Sequence, residues 1–276
     1  MKRFMRHLKA NRLVSLALAI LLFWLIAALI GPALVPFTYT AIDSEHSLAP
    51  PGTAGHLLGT DSLGRDILSR ILSGSRSIFA VALFTSLLST VAGVVVGFSA
   101  GYFSKAVDRI FLAAMDIIMA IPTLVLAMVV LGILGGSTIL SLTLIVSVAY
   151  VPATARVARS VLLGEKEKEY VMAARIRGES HLYIMFVEIL PNTTAPIIVE
   201  ATARFAYSIM TVASLGFLGV GLQPPNPDWG MMVIENKEII FQAPWAVLYP
   251  SLAIASLVIA ISIISDFVQK VLIHDR

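Results

Sequence analysis

The sequence predicts an all-α integral membrane protein with six transmembrane helices and a cytoplasmic helical hairpin between the fourth and the fifth. Three observations predict it. Of the 276 residues, 58% are hydrophobic and only 13% are charged, against about 45–50% and about 25% in soluble domains. The apolar residues fall into six long continuous stretches, and the cations gather on one side of the resulting layout. That much apolar surface exceeds what one core can hide, so it must face lipid.

A hydrocarbon layer about 30 Å thick needs about 20 apolar helical residues. The first stretch, 13–35, follows a basic run of Lys2, Arg3, Arg6, Lys9 and Arg12. It is longer than the roughly 7–15 apolar residues of a secretory leader and ends in Gly31-Pro32 with no clear small-x-small cleavage site, so a retained anchor helix is expected, with cleavage as the alternative. Residues 36–76 turn polar and carry Pro36, Pro50, Pro51 and several Gly, the composition of an extramembrane segment. Five further stretches follow at 77–101, 107–131, 139–161, 194–215 and 246–268. They are continuous rather than alternating and too long for barrel strands, so helices are expected throughout. The chain accordingly divides into an N-terminal region (1–76: tail, first helix and external loop) and a membrane domain (77–276).

Six crossings put both termini on one side. With them lie fifteen Lys and Arg, including Arg156, Arg159, Lys166, Lys168, Arg175 and Arg177, whereas the opposite side holds Arg65, Arg70, Arg76 and Lys237. The positive-inside rule places the termini and the basic loop in the cytoplasm.

That loop, 163–191, is too polar to cross lipid and too apolar to be a linker. Residues 165–177 read as a helix on which Glu169, Ala173 and Arg177 share a face. Ala174 and Gly178, also four apart, leave a nearly bare face that lets another backbone approach. Gly178 suits the helix C′ position, where φ > 0 is common. Ser180 can cap a second short helix, and Pro191 must stop it near Leu190. The plain alternative is an amphipathic helix pair lying at the membrane surface.

The run Glu169-Tyr-Val-Met-Ala-Ala-Arg-Ile-Arg-Gly178, continued to Ile189-Leu190-Pro191-Asn192, resembles the EAA loop of bacterial ABC-importer permeases. Three segments resemble the dipeptide/oligopeptide (peptide/nickel) branch of that family. They are His56-Leu-Leu-Gly-Thr-Asp-Ser-Leu-Gly-Arg-Asp66; Asp116 with Ala120-Ile-Pro122-Thr; and Gly216-Phe-Leu-Gly-Val-Gly221 leading to Pro227-Asp-Trp229-Gly230. The layout is similar to the second permease subunit of such systems. Where the family usually has a basic residue at Tyr183, Arg-His at Val187-Glu188, Arg at Ala113 and Glu at Val212, this chain differs. The resemblance implies the type I ABC importer permease fold in a bacterial-type cytoplasmic membrane. It implies ATPase coupling through Glu169, Ala173, Ala174, Gly178, Leu190 and Pro191. The implied partners are a second permease subunit, two ATP-binding subunits or domains, an external substrate-binding protein and membrane lipid, with no nucleic acid. Relatives in this branch import dipeptides, oligopeptides, nickel complexes and glutathione, and the binding protein largely sets the choice.

Four sets of polar residues admit two readings each. Asp116, inside the third stretch, is a pathway or gate residue or a helix-packing partner. Glu200 and Arg204, spaced i, i+4, line a pathway or neutralise each other in the membrane. Asp61, Arg65 and Asp66 contact a binding protein or tie a folded external cap. Asp228 and Trp229, beside Pro224, Pro225 and Pro227, contact a partner or anchor a rigid turn at the interface. Gly93, Gly97 and Gly101 permit close helix approach, expected at a subunit interface.

No Lys follows a Gly, so a Gly-x4-Gly-Lys phosphate loop is absent from the sequence. ATP and Mg are therefore expected on partner subunits, with no cofactor bound here. The chain has no Cys, and its five His lack metal-ligand spacing, so no metal site and no catalytic residues are expected. A secondary transporter would show paired intramembrane ionisable groups and internal repeats; here such groups are few and no repeat is evident. A membrane-anchored enzyme would show a nucleophile–base or metal constellation, and none is evident.

Overall fold

The computed structural model describes residues 11–53 and 55–274. The basic residues Lys2, Arg3, Arg6, Lys9 and Arg276 lie outside the described residues. Among those described there is no β-strand beyond two isolated bridges. The helices are α1 (Arg12–Leu34), α2 (Ile67–Tyr102), α3 (Lys105–Met119), α4 (Thr123–Leu134), α5 (Ile139–Glu165), α6 (Glu169–Ile176), α7 (His181–Tyr183), α8 (Thr194–Phe217), α9 (Trp229–Asn236) and α10 (Trp245–Gln269). Four are long and apolar enough to cross a membrane: α1, α2, α5 and α10, the last continuing to Leu272. Two bent pairs bring the total to six if each is one span.

The second stretch departs from its expected limits. Its helix begins at Ile67, ten residues before the expected start, so Arg70 and Arg76 belong to α2 rather than to a loop. Asp66 caps the new start by accepting from Ser69 N at 2.7 Å. At 1.5 Å per residue, 36 residues run about 54 Å, so α2 projects beyond the hydrocarbon layer. α2 is the centre of the molecule and packs on α1, α5 and α8.

Gly93, Gly97 and Gly101 correct the expectation of a subunit interface. They pack inside this chain, against α5. A Cβ at Gly93 would lie 2.6 Å from Thr154 Cβ, one at Gly97 would overlap the Ala155 carbonyl oxygen, and one at Gly101 would lie 2.8 Å from Leu162 Cδ2. The small stripe lets two of the long helices approach closely.

The third stretch is broken. α3 and α4 meet at 79°, because Pro122 lacks an N–H, clashes with helical geometry at the residue before it, and here adopts extended backbone (φ −54°, ψ 131°). α3 crosses α5 obliquely. Asp108 pairs with Arg159 and Asp116 with Arg156. Eight residues of α3, about 12 Å, thus face three residues of α5, about 4.5 Å. Arg156 and Arg159 lie within α5, which runs on to Glu165 instead of ending near 161.

The first helix of the hairpin consequently starts at Glu169 rather than at 165. The start of α1, the stretch after α10 and the hairpin lie at the end of the bundle where α2 and α5 finish. A folded cap, residues 36–66, covers the other end together with α9.

Candidate functional site

At the hairpin end, α6 is held by Lys168 in extended conformation before it and by Gly178 (φ +79°) after it. Glu179 N donates to Ala174 O at 3.2 Å, closing the left-handed turn. Ser180 Oγ then accepts from Tyr183 N at 3.3 Å and starts α7. The chain continues through a wide π turn (Ile184–Ile189) and a 3-10 turn (Leu190–Thr193) containing Pro191. It bends by 77° into α8.

Val171 and Ala174 are buried in one cluster with Ile184, Met185, Ile189, Phe98, Tyr102, Ala158 and Leu162. Ala174 therefore corrects its expectation: its bare face admits the second half of the same hairpin, not another chain. Glu169, Ala173, Gly178 and Pro191 are exposed and Leu190 is half-buried. Next to them stands Ile176, 88% exposed.

The hairpin is fastened to the bundle by charge and aromatic contacts. Lys166 Nζ donates to the carbonyls of Gly101 (3.0 Å) and Tyr102 (2.8 Å), satisfying the last turn of α2. Tyr102 lies under Lys166 and Arg175, and its hydroxyl pairs with His181 Nδ1 at 3.2 Å. Tyr170 donates to Glu165 at 2.8 Å. Burial first, then this acceptor, pushes the phenol up to about 12, so it stays a donor. Arg177 Nη2 joins Glu188 at 2.7 Å across the turn. Glu188 is one of the positions where the chain differs from the usual family residue.

In the middle of α8, Arg204 Nε donates to Glu200 Oε1 at 2.6 Å. Thr154 Oγ1, from α5, reaches the same oxygen at 3.3 Å. The guanidinium sits between the rings of Tyr150 (5.3 Å) and Tyr207 (5.2 Å), and Tyr150 is itself held by Thr211 at 2.6 Å. The predicted pair is thus made, and the aromatic cradle around it was not foreseen. Asp116 is not isolated in the membrane. It pairs with Arg156 at the oblique crossing of α3, and both are well exposed.

At the cap end, the predicted polar groups are spent internally. Asp61 Oδ2 accepts from Arg65 Nε (2.7 Å) and Arg70 Nη1 (2.6 Å), while Glu235 Oε2 accepts from Arg65 Nη2 (2.7 Å) and Arg70 Nη2 (2.9 Å). Glu235 was missed because it lies 165 residues from Arg70. Asp66 accepts from Ser69 and pairs with His56 at 2.9 Å, both residues buried. Asp228 caps α9 through Met231 N at 3.0 Å and takes Leu222 N at 3.2 Å. Burial raises its carboxyl above the usual range, against these backbone donors. Trp229 donates to Ile71 O at 2.9 Å in the notch left by Gly74. Its ring packs on Trp24 at 4.7 Å. Buried in this way, Asp61, Asp66, Asp228 and Trp229 present no side chain for an external contact and act as ties of the cap. Among the described residues no cluster could hold a metal ion.

The fold is that of the type I ABC importer permeases. The inward-facing MetNI methionine ABC transporter superposes with a TM-score of 0.61, covering 74% of this chain and 96% of that one at 19% identity. The sequence comparisons go further. Residues 93–275 match the binding-protein-dependent transport system inner membrane component, and residues 1–51 match the N-terminal TM domain of oligopeptide transport permease C. The chain is 35% identical to the dipeptide transport system permease protein DppC of Alkalihalophilus pseudofirmus, over 97% of this chain and 87% of that one. It is 37% identical to the corresponding Haemophilus influenzae protein, over 99% and 94%. The chain belongs to the binding-protein-dependent transport system inner membrane components, in the peptide-permease branch.

Proposed function

We propose that this chain forms one half of the translocation pathway of an ABC importer for dipeptides or oligopeptides. A second permease chain supplies the other half. Two ATP-binding subunits or domains bind and hydrolyse ATP with Mg, an external binding protein delivers the peptide, and this chain itself is not catalytic. The membrane is the bacterial cytoplasmic membrane, with both termini and the hairpin on the cytoplasmic side. The substrate class rests on relatives that are named dipeptide permeases.

One observation carries the coupling role: the hairpin has a rigid buried side and an exposed side bearing Glu169, Ala173 and Ile176. Seated in an ATPase groove, such an element moves as a unit. Closure of the ATPase pair would pull it, and the 77° bend at its base would transmit the movement to α8. Rigid-body rocking of that kind alternates access to a central pathway.

The test is a pull-down with affinity-tagged chain, followed by reconstitution into vesicles. An ATPase chain and a second permease should co-purify, and vesicles supplied with the binding protein should take up labelled dipeptide only with ATP. Purification alone, with ATP-independent uptake, would overturn the proposal.

A further inference from the structure

Arg204 leaves part of its hydrogen-bonding capacity unused. Only Nε is engaged, by Glu200. No side chain or carbonyl among the described residues accepts from Nη1 or Nη2. Neither nitrogen is among the buried atoms lacking a partner, so both reach the surface, and the side chain is 15% exposed. Arg204 is ten residues into the 24-residue α8, about 15 Å from its start, close to mid-span. An unpaired guanidinium edge at that depth is not stable against lipid, and such groups face water or another polar group. The cradle holds the edge in place. Tyr150 and Tyr207 flank the guanidinium, and Thr211 fixes Tyr150. Two parallel N–H donors of a fixed planar fork match a carboxylate in bidentate geometry.

We infer that Arg204 is a way-station for a carboxylate in the translocation pathway, the C-terminal carboxylate of the passing peptide. The inference rests on the transport reading above. Glu200 tempers the site. By neutralising part of the cation it keeps the carboxylate from being held so tightly that it cannot leave. Its own negative charge repels the anion and offers an acceptor to the peptide's amino group. A carboxylate on the second permease chain would satisfy the same fork, and the test separates the two sources.

The experiment uses the complete complex in vesicles with binding protein loaded with L-alanyl-L-alanine. Arg204→Gln should keep stimulated ATP hydrolysis within about twofold while uptake per ATP falls about tenfold, and Arg204→Lys, which keeps the charge but not the fork, should fall in between. The chain has no Cys of its own, so an Ala201→Cys variant, at a half-buried position about one turn before Arg204 and outside the aromatic cradle, gives a clean labelling site. An anionic thiosulfonate should label it roughly tenfold faster than a cationic one, as expected for a local field that enriches anions. Adding Arg204→Gln should erase that preference. Equal labelling rates with Arg204 present, or unchanged uptake per ATP in Arg204→Gln, would overturn the inference. Loss of the second permease chain from the purified Arg204→Gln complex would also overturn it, assigning the fork to that chain. No ATP-dependent uptake by the unmodified complex would overturn the transport reading and the inference with it.

Discussion

Arg70 Nη1 lies 2.6 Å from Asp61 Oδ2, and both side chains are almost fully buried, at 5% and 1% exposure. The pair joins the first turns of α2 to the cap, and Glu235 extends it to α9. Breaking a buried pair costs up to about 3–5 kcal/mol, and without Arg70 the two carboxylates Asp61 and Glu235 are left to share Arg65 alone. Arg70→Met should therefore lower the denaturation midpoint in detergent sharply. Glu235→Gln, on the more exposed partner, should cost no more than about 1 kcal/mol. Equal effects would mean that the network is not organised around Asp61.

Gly97 and Ala155 define the closest approach of α2 and α5. Gly97→Val adds three carbons where the first already overlaps a backbone oxygen. Overpacking typically costs about 1–3 kcal/mol and more where backbone must move. The variant should fail to accumulate in the membrane. Gly132→Ala, at a position with open space around it, should accumulate normally, and the pair of immunoblots checks both expectations.

Gly178 tests the hairpin without disturbing packing. A Cβ there meets nothing within 4 Å, yet the backbone sits at φ +79°. A non-glycine residue in the left-handed region costs about 1–2 kcal/mol, and a β-branched one is worse placed still. Gly178→Val should insert normally but lose transport and retain less ATPase on purification. Wild-type uptake would contradict the coupling role.

Glu169 stands in the first turn of α6. If it only complements the helix N-terminus, worth about 0.3–1 kcal/mol, Glu169→Gln should change little. A charged contact buried at an interface is worth about 2–5 kcal/mol on truncation. Glu169→Gln should then weaken ATPase retention and stimulated hydrolysis while the two permease chains stay paired.

How much of this was legible depended on how local each cause is. The six apolar stretches and the left-handed turn at Gly178 follow from hydropathy and from glycine's backbone freedom, and both read directly. Pro122 was visible, but a hydropathy window averages over a proline, so the stretch 107–131 read as one helix instead of two at 79°. The inward face of Ala174 could not be settled from eight residues, because an isolated short helix offers two plausible apolar faces. Partners far apart in sequence were invisible. Glu235 with Arg70, Tyr150 with Arg204, and Gly97 with Ala155 meet only once the helices are packed.

If the hairpin couples this chain to a separate ATPase, the exposed side of α6 touches that subunit. A photoreactive amino acid at Ile176, 88% exposed, tests it most directly in the purified complex. Irradiation should yield an adduct of this chain with the ATPase. The same group at Leu57, exposed on the cap, should give none with that subunit. No ATPase adduct from Ile176, or an equal yield from Leu57, would contradict the account.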